Sequence, residues 1–147
     1  MIARPKDFTD NPLPSANSLA AEALLMRSAY GGVPDEHAAE IARGAGRLLE
    51  RYPSAVGHLL SVLLTAEIGI KEVAIVGDGP ARRELERVVW EGFRPECVIA
   101  AGPADSPIPL LHGRGTAEAG AAAHVCRNFV CDLPVSTVEE LRSRLRP

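Results

Sequence analysis

Long apolar runs, aromatic side chains and charge of one sign are all scarce in these 147 residues, and each scarcity removes a class of protein. No apolar stretch approaches the ~20 residues that a membrane-spanning helix needs. The opening Met1-Ile2-Ala3-Arg4-Pro5-Lys6-Asp7 has no apolar segment leading to a small-residue cleavage site, so a cytoplasmic protein without membrane attachment is expected. Sixteen Lys and Arg are interspersed with nineteen Asp and Glu, for a net charge of -3. That mixture builds no positive field for nucleic acid. Three cysteines, an odd number, argue against a disulfide-stapled secreted scaffold. Aromatic residues make up 4%, yet 46% of the chain is hydrophobic through abundant Ala, Leu and Val, enough for one continuous core.

Residues 1–14 carry three prolines and read as an extended lead-in without regular structure. Three helical patterns follow. Over residues 16–30, Leu19, Ala23, Met26 and Tyr30 share one face, with Ser15 or Asn17 as cap and Gly31-Gly32 as stop. Residues 36–52 put Ala38, Ile41, Ala42, Ala45, Leu48, Leu49 and Tyr52 on one stripe behind Asp35. Residues 54–68 are apolar around most of the helix, except that Ser54, His58, Ser61 and Thr65 form one polar stripe. Such a stripe faces water, a cavity or a satisfied hydrogen-bond network.

At Gly69 the period changes. Residues 73–76, Val-Ala-Ile-Val, read as a buried strand. A helix over 81–93 with Leu85, Val88 and Val89 inward, and a second strand over 97–101, complete a βαβ unit with parallel strands. The Gly- and Pro-rich stretch 102–120 is long enough to be functional or mobile. A third strand is expected over 121–126. A capping box at Ser136-Thr137-Val138-Glu139 opens a last helix with Val138, Leu141 and Leu145 inward. The fold class is thus α/β, with a helical lobe over 1–69 and a small α/β lobe with a mostly parallel sheet over 70–147.

Chemistry-bearing motifs are few. Gly77-Asp78-Gly79-Pro80 sits between strand and helix, where phosphate is bound in doubly wound folds, but lacks the third glycine and the P-loop Lys; a tight turn is the favoured reading. Cys126 and Cys131 flank four residues, with His124 and Cys97 as possible neighbours. That is not the spacing of a zinc knuckle or a redox pair, so ordinary buried thiols are expected and no metal or cofactor is assigned. Asp10, Ser15 and His58 lack the nucleophile elbow of a hydrolase.

Two end segments carry a family resemblance. Asp10-Asn11-Pro12-Leu13-Pro14-Ser15-Ala16-Asn17-Ser18 is similar to an Asp followed by Pro-Ser-Gly-Asn-Ser, and His124-Val125-Cys126-Arg127-Asn128-Phe129-Val130-Cys131 to a terminal Cys-x-Asn-Phe-x-Cys. With the strand from Glu72 to Gly77, the chain resembles the C-terminal portion of the YyaL and spermatogenesis-associated thioredoxin-domain-containing family, departing from it at Ala16 and His124. The resemblance implies a longer protein with a thioredoxin-like domain and an (α/α) toroid of the six-hairpin glycosidase and sugar-epimerase type. The helical lobe would then be the end of that toroid. Asp10 would be the weak catalytic candidate, and Ser15, Asn17, Ser18, His58 and Ser61 would face a carbohydrate-type cavity that this chain completes without a full active site of its own. Two alternatives stay open beside it: thiol redox or metal chemistry at Cys126 and Cys131, and a purely structural interaction module. The expected partners are a carbohydrate-like small molecule, the remainder of the longer protein, and a second copy of the chain. Three helices cannot close a toroid, so the flanks at Leu24, Leu25, Leu60 and Leu64 should be left bare.

Overall fold

A computed structural model describes residues 6–146, so the first five residues of the lead-in lie outside the described residues. The chain divides into two compact units, one reaching to Ser28 and resuming over Val33–Ile68, the other formed by Ala29–Gly32 and the chain from Gly69 onward.

The first unit is helical. Its elements are α1 (Ala16–Gly31), α2 (His37–Gly44), α3 (Gly46–Arg51), a 3-10 turn at Pro53–Val56 and α4 (Gly57–Ile68). The helix expected over 36–52 is broken at Ala45. Glycine lowers helix stability by about 1 kcal/mol relative to alanine, and Gly44 and Gly46 flank the break. Gly44 also admits the Phe8 ring, since a Cβ there would lie 3.1 Å from the ring tip. The core joins Ala21, Ala45, Val56, Leu59 and Val62, with Leu25, Ile41, Leu48 and Leu49 against them. On α1 the inward face is therefore Ser18 and Ala21, with Leu25 half-buried against the core, not the expected face of Leu19 and Tyr30, both of which are exposed. Leu60, Leu64 and Ile68 of α4 are exposed too.

The second unit is built on a four-stranded sheet. Its elements are β1 (Lys71–Gly77), α5 (Gly79–Trp90), β2 (Cys97–Gly102), a 3-10 turn at Pro109–Leu111, β3 (Ala121–Arg127), β4 (Val130–Cys131) and α6 (Val138–Arg144), with strand order β2-β1-β3-β4. β1 and β2 are parallel as the βαβ pattern requires. β3 runs antiparallel to β1, and β4 antiparallel to β3, so the fold is α/β with a mixed sheet in place of a mostly parallel one. The reason is the connection. The crossover from β2 to β3 carries no helix to return the chain in the same direction, only loop and one 3-10 turn.

One sheet face packs Val73, Ile75, Ala123 and Val125 against Leu85, Val88 and Val89 of α5 and Leu141 and Leu145 of α6. The other face is covered as well, since every residue of β1 is buried, and the loop after β2 contributes buried Leu110 and Leu111. Gly77 needs its glycine: φ is +146° and a Cβ would meet the Gly120 carbonyl oxygen at 2.4 Å. The capping box of α6 is shifted by one residue from the expected one, to Thr137 and Glu140.

Candidate functional site

In the first unit the polar residues converge on one carboxylate. Ser15 caps α1, its Oγ accepting the Ser18 amide at 3.1 Å, and Asp10 Oδ1 accepts from the Ser15 amide at 2.7 Å and the Ser18 hydroxyl at 2.8 Å. The two serine hydroxyls are 2.8 Å apart. Asp10 Oδ2 accepts the His58 amide at 2.8 Å, and the Leu59 amide bonds the same carboxyl. One side chain thus serves the N-termini of both α1 and α4. Burial pushes the Asp10 pKa up, but the bonds from Ser15, Ser18, His58 and Leu59 outweigh it and hold the carboxyl below its ordinary value. Four donors match its roughly four lone-pair sites. Asp10 is a helix-anchoring acceptor here, with little capacity left for proton transfer.

His58 and Glu22 face each other with Nε2 and Oε2 3.1 Å apart. The remaining candidates lie elsewhere. Asn17 donates to the Asp7 carbonyl at 2.7 Å, and the exposed Ser61 bonds back to Gly57 within its own helix, as Thr65 does to Ser61. Asp10, Ser15, Ser18 and His58 are brought together; Asn17 and Ser61 are not.

The second unit holds a different arrangement. β3 and β4 form a hairpin whose two-residue turn, Asn128-Phe129, has positive φ at both positions, 50° and 66°. That is the backbone of a type I′ turn. Its register sets Cys126 directly opposite Cys131, and the two are joined as a disulfide. The expectation of ordinary buried thiols is corrected here: a two-residue turn makes a four-residue spacing the one that pairs cysteines across a hairpin. Cys126 is buried, whereas Cys131 is exposed.

Two charged groups complete the site. Arg114, delivered by the long loop after β2 and fixed by its Nε bond to the Leu110 carbonyl, puts Nη1 3.2 Å from Cys126 Sγ and 3.0 Å from Cys131 Sγ. Glu72 lies opposite Cys126 across β1 and β3, is 1% exposed, and accepts the Phe129 amide at 3.3 Å. Burial raises its pKa, against the opposing pull of the Phe129 amide and the Arg114 and Arg127 charges. Burial likewise lowers the pKa of Arg114, which the Glu72 carboxylate partly offsets.

Cys97 does not join them. It pairs in register with Lys71 on the far side of β1, and burial pushes its thiol up to about 11. His124 bonds the Gly115 carbonyl through Nε2. Among the described residues no three or more His, Cys, Asp or Glu side chains group as a metal site. Arg114 and Glu72 escaped the sequence reading. Glu72 stands at the edge of an apolar run where a charge ordinarily marks the strand end, and nothing local to Arg114 signals its distant partners.

The comparisons with known proteins agree on one name. Spermatogenesis-associated protein 20 of Homo sapiens is 28% identical over 98% of this chain. The proteins of that name from Mus musculus and Rattus norvegicus are each 26% identical over 97% of it. This chain is similar in sequence to spermatogenesis-associated protein 20. It spans about a fifth of the length of those relatives, covering 20% of the human protein and 19% of the rodent ones. No family model and no solved structure matches the chain.

Proposed function

We propose that this chain is the C-terminal portion of a longer protein and that its β3–β4 hairpin is a thiol–disulfide exchange site. The observation that carries the proposal is the Arg114 guanidinium, in contact with both sulfurs of a disulfide that has one exposed and one buried half. An incoming thiolate attacks the exposed Cys131 Sγ, the Sγ–Sγ bond breaks, and its electron pair leaves on Cys126. Arg114 stabilises that thiolate, as a neighbouring cation does for low-pKa cysteines. A second thiolate then attacks the donor's sulfur in the mixed disulfide and releases Cys131. Two thiols are thereby oxidised to one disulfide, and their two protons end on Cys126 and Cys131.

The test is incubation of the oxidised protein with reduced glutathione, followed by alkylation and peptide mass spectrometry. A mixed disulfide at Cys131 is expected, forming about tenfold more slowly in Arg114→Gln, the change that loss of ~1.4 kcal/mol of thiolate stabilisation gives. A folded protein whose disulfide does not exchange, or exchanges equally fast in Arg114→Gln, rules the proposal out.

A second reading, completion of a carbohydrate-type cavity of the longer protein with toroid-like surroundings, draws on an open cleft of about 610 Å³ in the first unit. Asn17, Arg27, His37 and Glu40 line it beside the apolar Phe8 and Leu24, a mixture suited to a polyol. Calorimetry with monosaccharides and disaccharides on the chain and on Asn17→Ala tests it; no saturable heat in the unsubstituted chain removes it.

A further inference from the structure

The second unit contains a basic cleft beside the β3–β4 hairpin. It encloses about 230 Å³; Lys71, Arg127, Arg144 and Arg146 line it with the carboxylate of Asp132, and Val125, Cys126 and Val130 complete the wall. Among the described residues, four cations against one anion is a local excess within a chain whose net charge is -3. A cleft lined by one sign of charge concentrates counter-ions from solution.

Strand alternation puts two of the cleft's cations on the sheet face away from the Glu72 and Cys126 side chains. Lys71 and Arg127 precede and follow Glu72 and Cys126 along β1 and β3, so they belong to the opposite sheet face. They are also direct cross-strand partners, and like charges so placed repel. Lys71 is only 5% exposed, which limits how far water can screen that repulsion.

Hydrogen bonds hold these side chains in place. Lys71 Nζ donates to the Arg146 carbonyl at 3.1 Å, Arg127 Nη1 to the Gly69 carbonyl at 2.8 Å, and Arg144 Nη1 to the Asp132 carboxylate at 3.0 Å. An ammonium has three donors and a guanidinium five, so Lys71 and Arg144 retain N–H groups beyond those contacts.

We propose that this cleft binds a small, multiply charged oxyanion of the phosphate class, either free phosphate or the phosphoryl group of a monoester. Guanidinium forks match the paired oxygens of a phosphate, and a buried ammonium adds a point charge. The volume is below the 300–1,000 Å³ or so of sites for drug-sized ligands, and suits a compact anionic group. The cations of the site are distinct from the one that serves the exchange reaction, since Arg114, which contacts both sulfurs, is not among the residues lining the cleft.

The experiment is a calorimetric titration of the whole chain at low ionic strength with inorganic phosphate, with a phosphomonoester, and with citrate as the carboxylate control. Saturable one-to-one binding of phosphate is expected. Arg146→Gln keeps the main-chain carbonyl that Lys71 uses and should weaken binding about tenfold, the scale of one lost charge-assisted contact. Asp132→Asn removes a carboxylate from the cleft wall and should tighten it, a gain that simple unfolding cannot mimic. Tighter binding of the monoester than of phosphate assigns the site to an esterified ligand, and the reverse to the free ion. Absence of saturable binding, affinities unchanged in both variants, or citrate binding as tightly as phosphate overturns the proposal.

Discussion

Glu72 accepts the main-chain amide of Phe129 at 3.3 Å, linking a nearly fully buried carboxylate on β1 to the second residue of the β3–β4 turn. Because burial raises the folded-state pKa of Glu72, the folded protein binds the proton more tightly than the unfolded chain. Stability from this group is complete below the unfolded value near 4.5 and declines as pH rises through the folded value. Urea unfolding from pH 4 to 8 should show that decline in the wild type and a flatter profile in Glu72→Gln, which keeps an acceptor for Phe129. Parallel profiles would remove Glu72 as the titrating group.

Phe129 has a φ of 66°, a conformation strained for a bulky residue and easy for glycine. Phe129→Gly should stabilise the protein by about 1 kcal/mol in the same unfolding assay, since Asn-Gly is the preferred type I′ pair. A loss of stability instead would mean that ring packing outweighs the backbone strain.

How far the sequence reveals this site follows from which interactions are local. The strand over 73–76 and the inward Leu85, Val88 and Val89 of α5 were legible because a β-branched apolar run and a helical period each act within one element. The turn was not, because Asn128-Phe129 lacks the glycine that marks a two-residue hairpin, and so the pairing of Cys126 with Cys131 went unseen. Arg114 reaches the sulfurs from twelve and seventeen residues away along the chain, a contact no periodicity encodes. Asp10, Ser15 and Ser18 could be picked out as a motif, but their capping geometry depends on α4, some forty residues later.

Replacing both Cys126 and Cys131 by serine removes a cross-link that closes a six-residue loop. Loop-closure entropy for so short a loop is about 2 kcal/mol, so thermal unfolding should drop by several degrees in the double variant and equally in the reduced wild type. A double variant as stable as the oxidised protein would leave the disulfide without a structural share.

Leu60, Leu64 and Ile68 repeat every four residues on α4 and are 39%, 60% and 56% exposed, an apolar ridge of the kind that marks contact surfaces. The chain is expected to self-associate through it, and Leu64→Glu to shift light scattering toward the monomer. A wild-type monomer at about 0.1 mM, far above a micromolar Kd, would refute that expectation.

Asp10 gives the sharpest stability prediction because two helices depend on it. Its oxygens receive the Ser15 amide and Ser18 hydroxyl at the start of α1 and the His58 amide at the start of α4. A single N-cap is worth about 1 kcal/mol, so Asp10→Ala should cost about 2 kcal/mol or more, while Ser61→Ala, whose hydroxyl is exposed and bonds only within its own helix, should stay within about 0.5 kcal/mol of wild type. The pH dependence runs opposite to that of Glu72. The folded-state pKa is depressed below 3.8, so the stabilisation is present above the unfolded value and is lost as pH falls through the folded one. Asp10→Asn should therefore lose stability at pH 7 yet approach the wild type in strong acid. Were Asp10→Asn as stable as the wild type at pH 7, the carboxylate would not be anchoring the two helices, and its oxygens would be available for the catalytic role the resemblance implies.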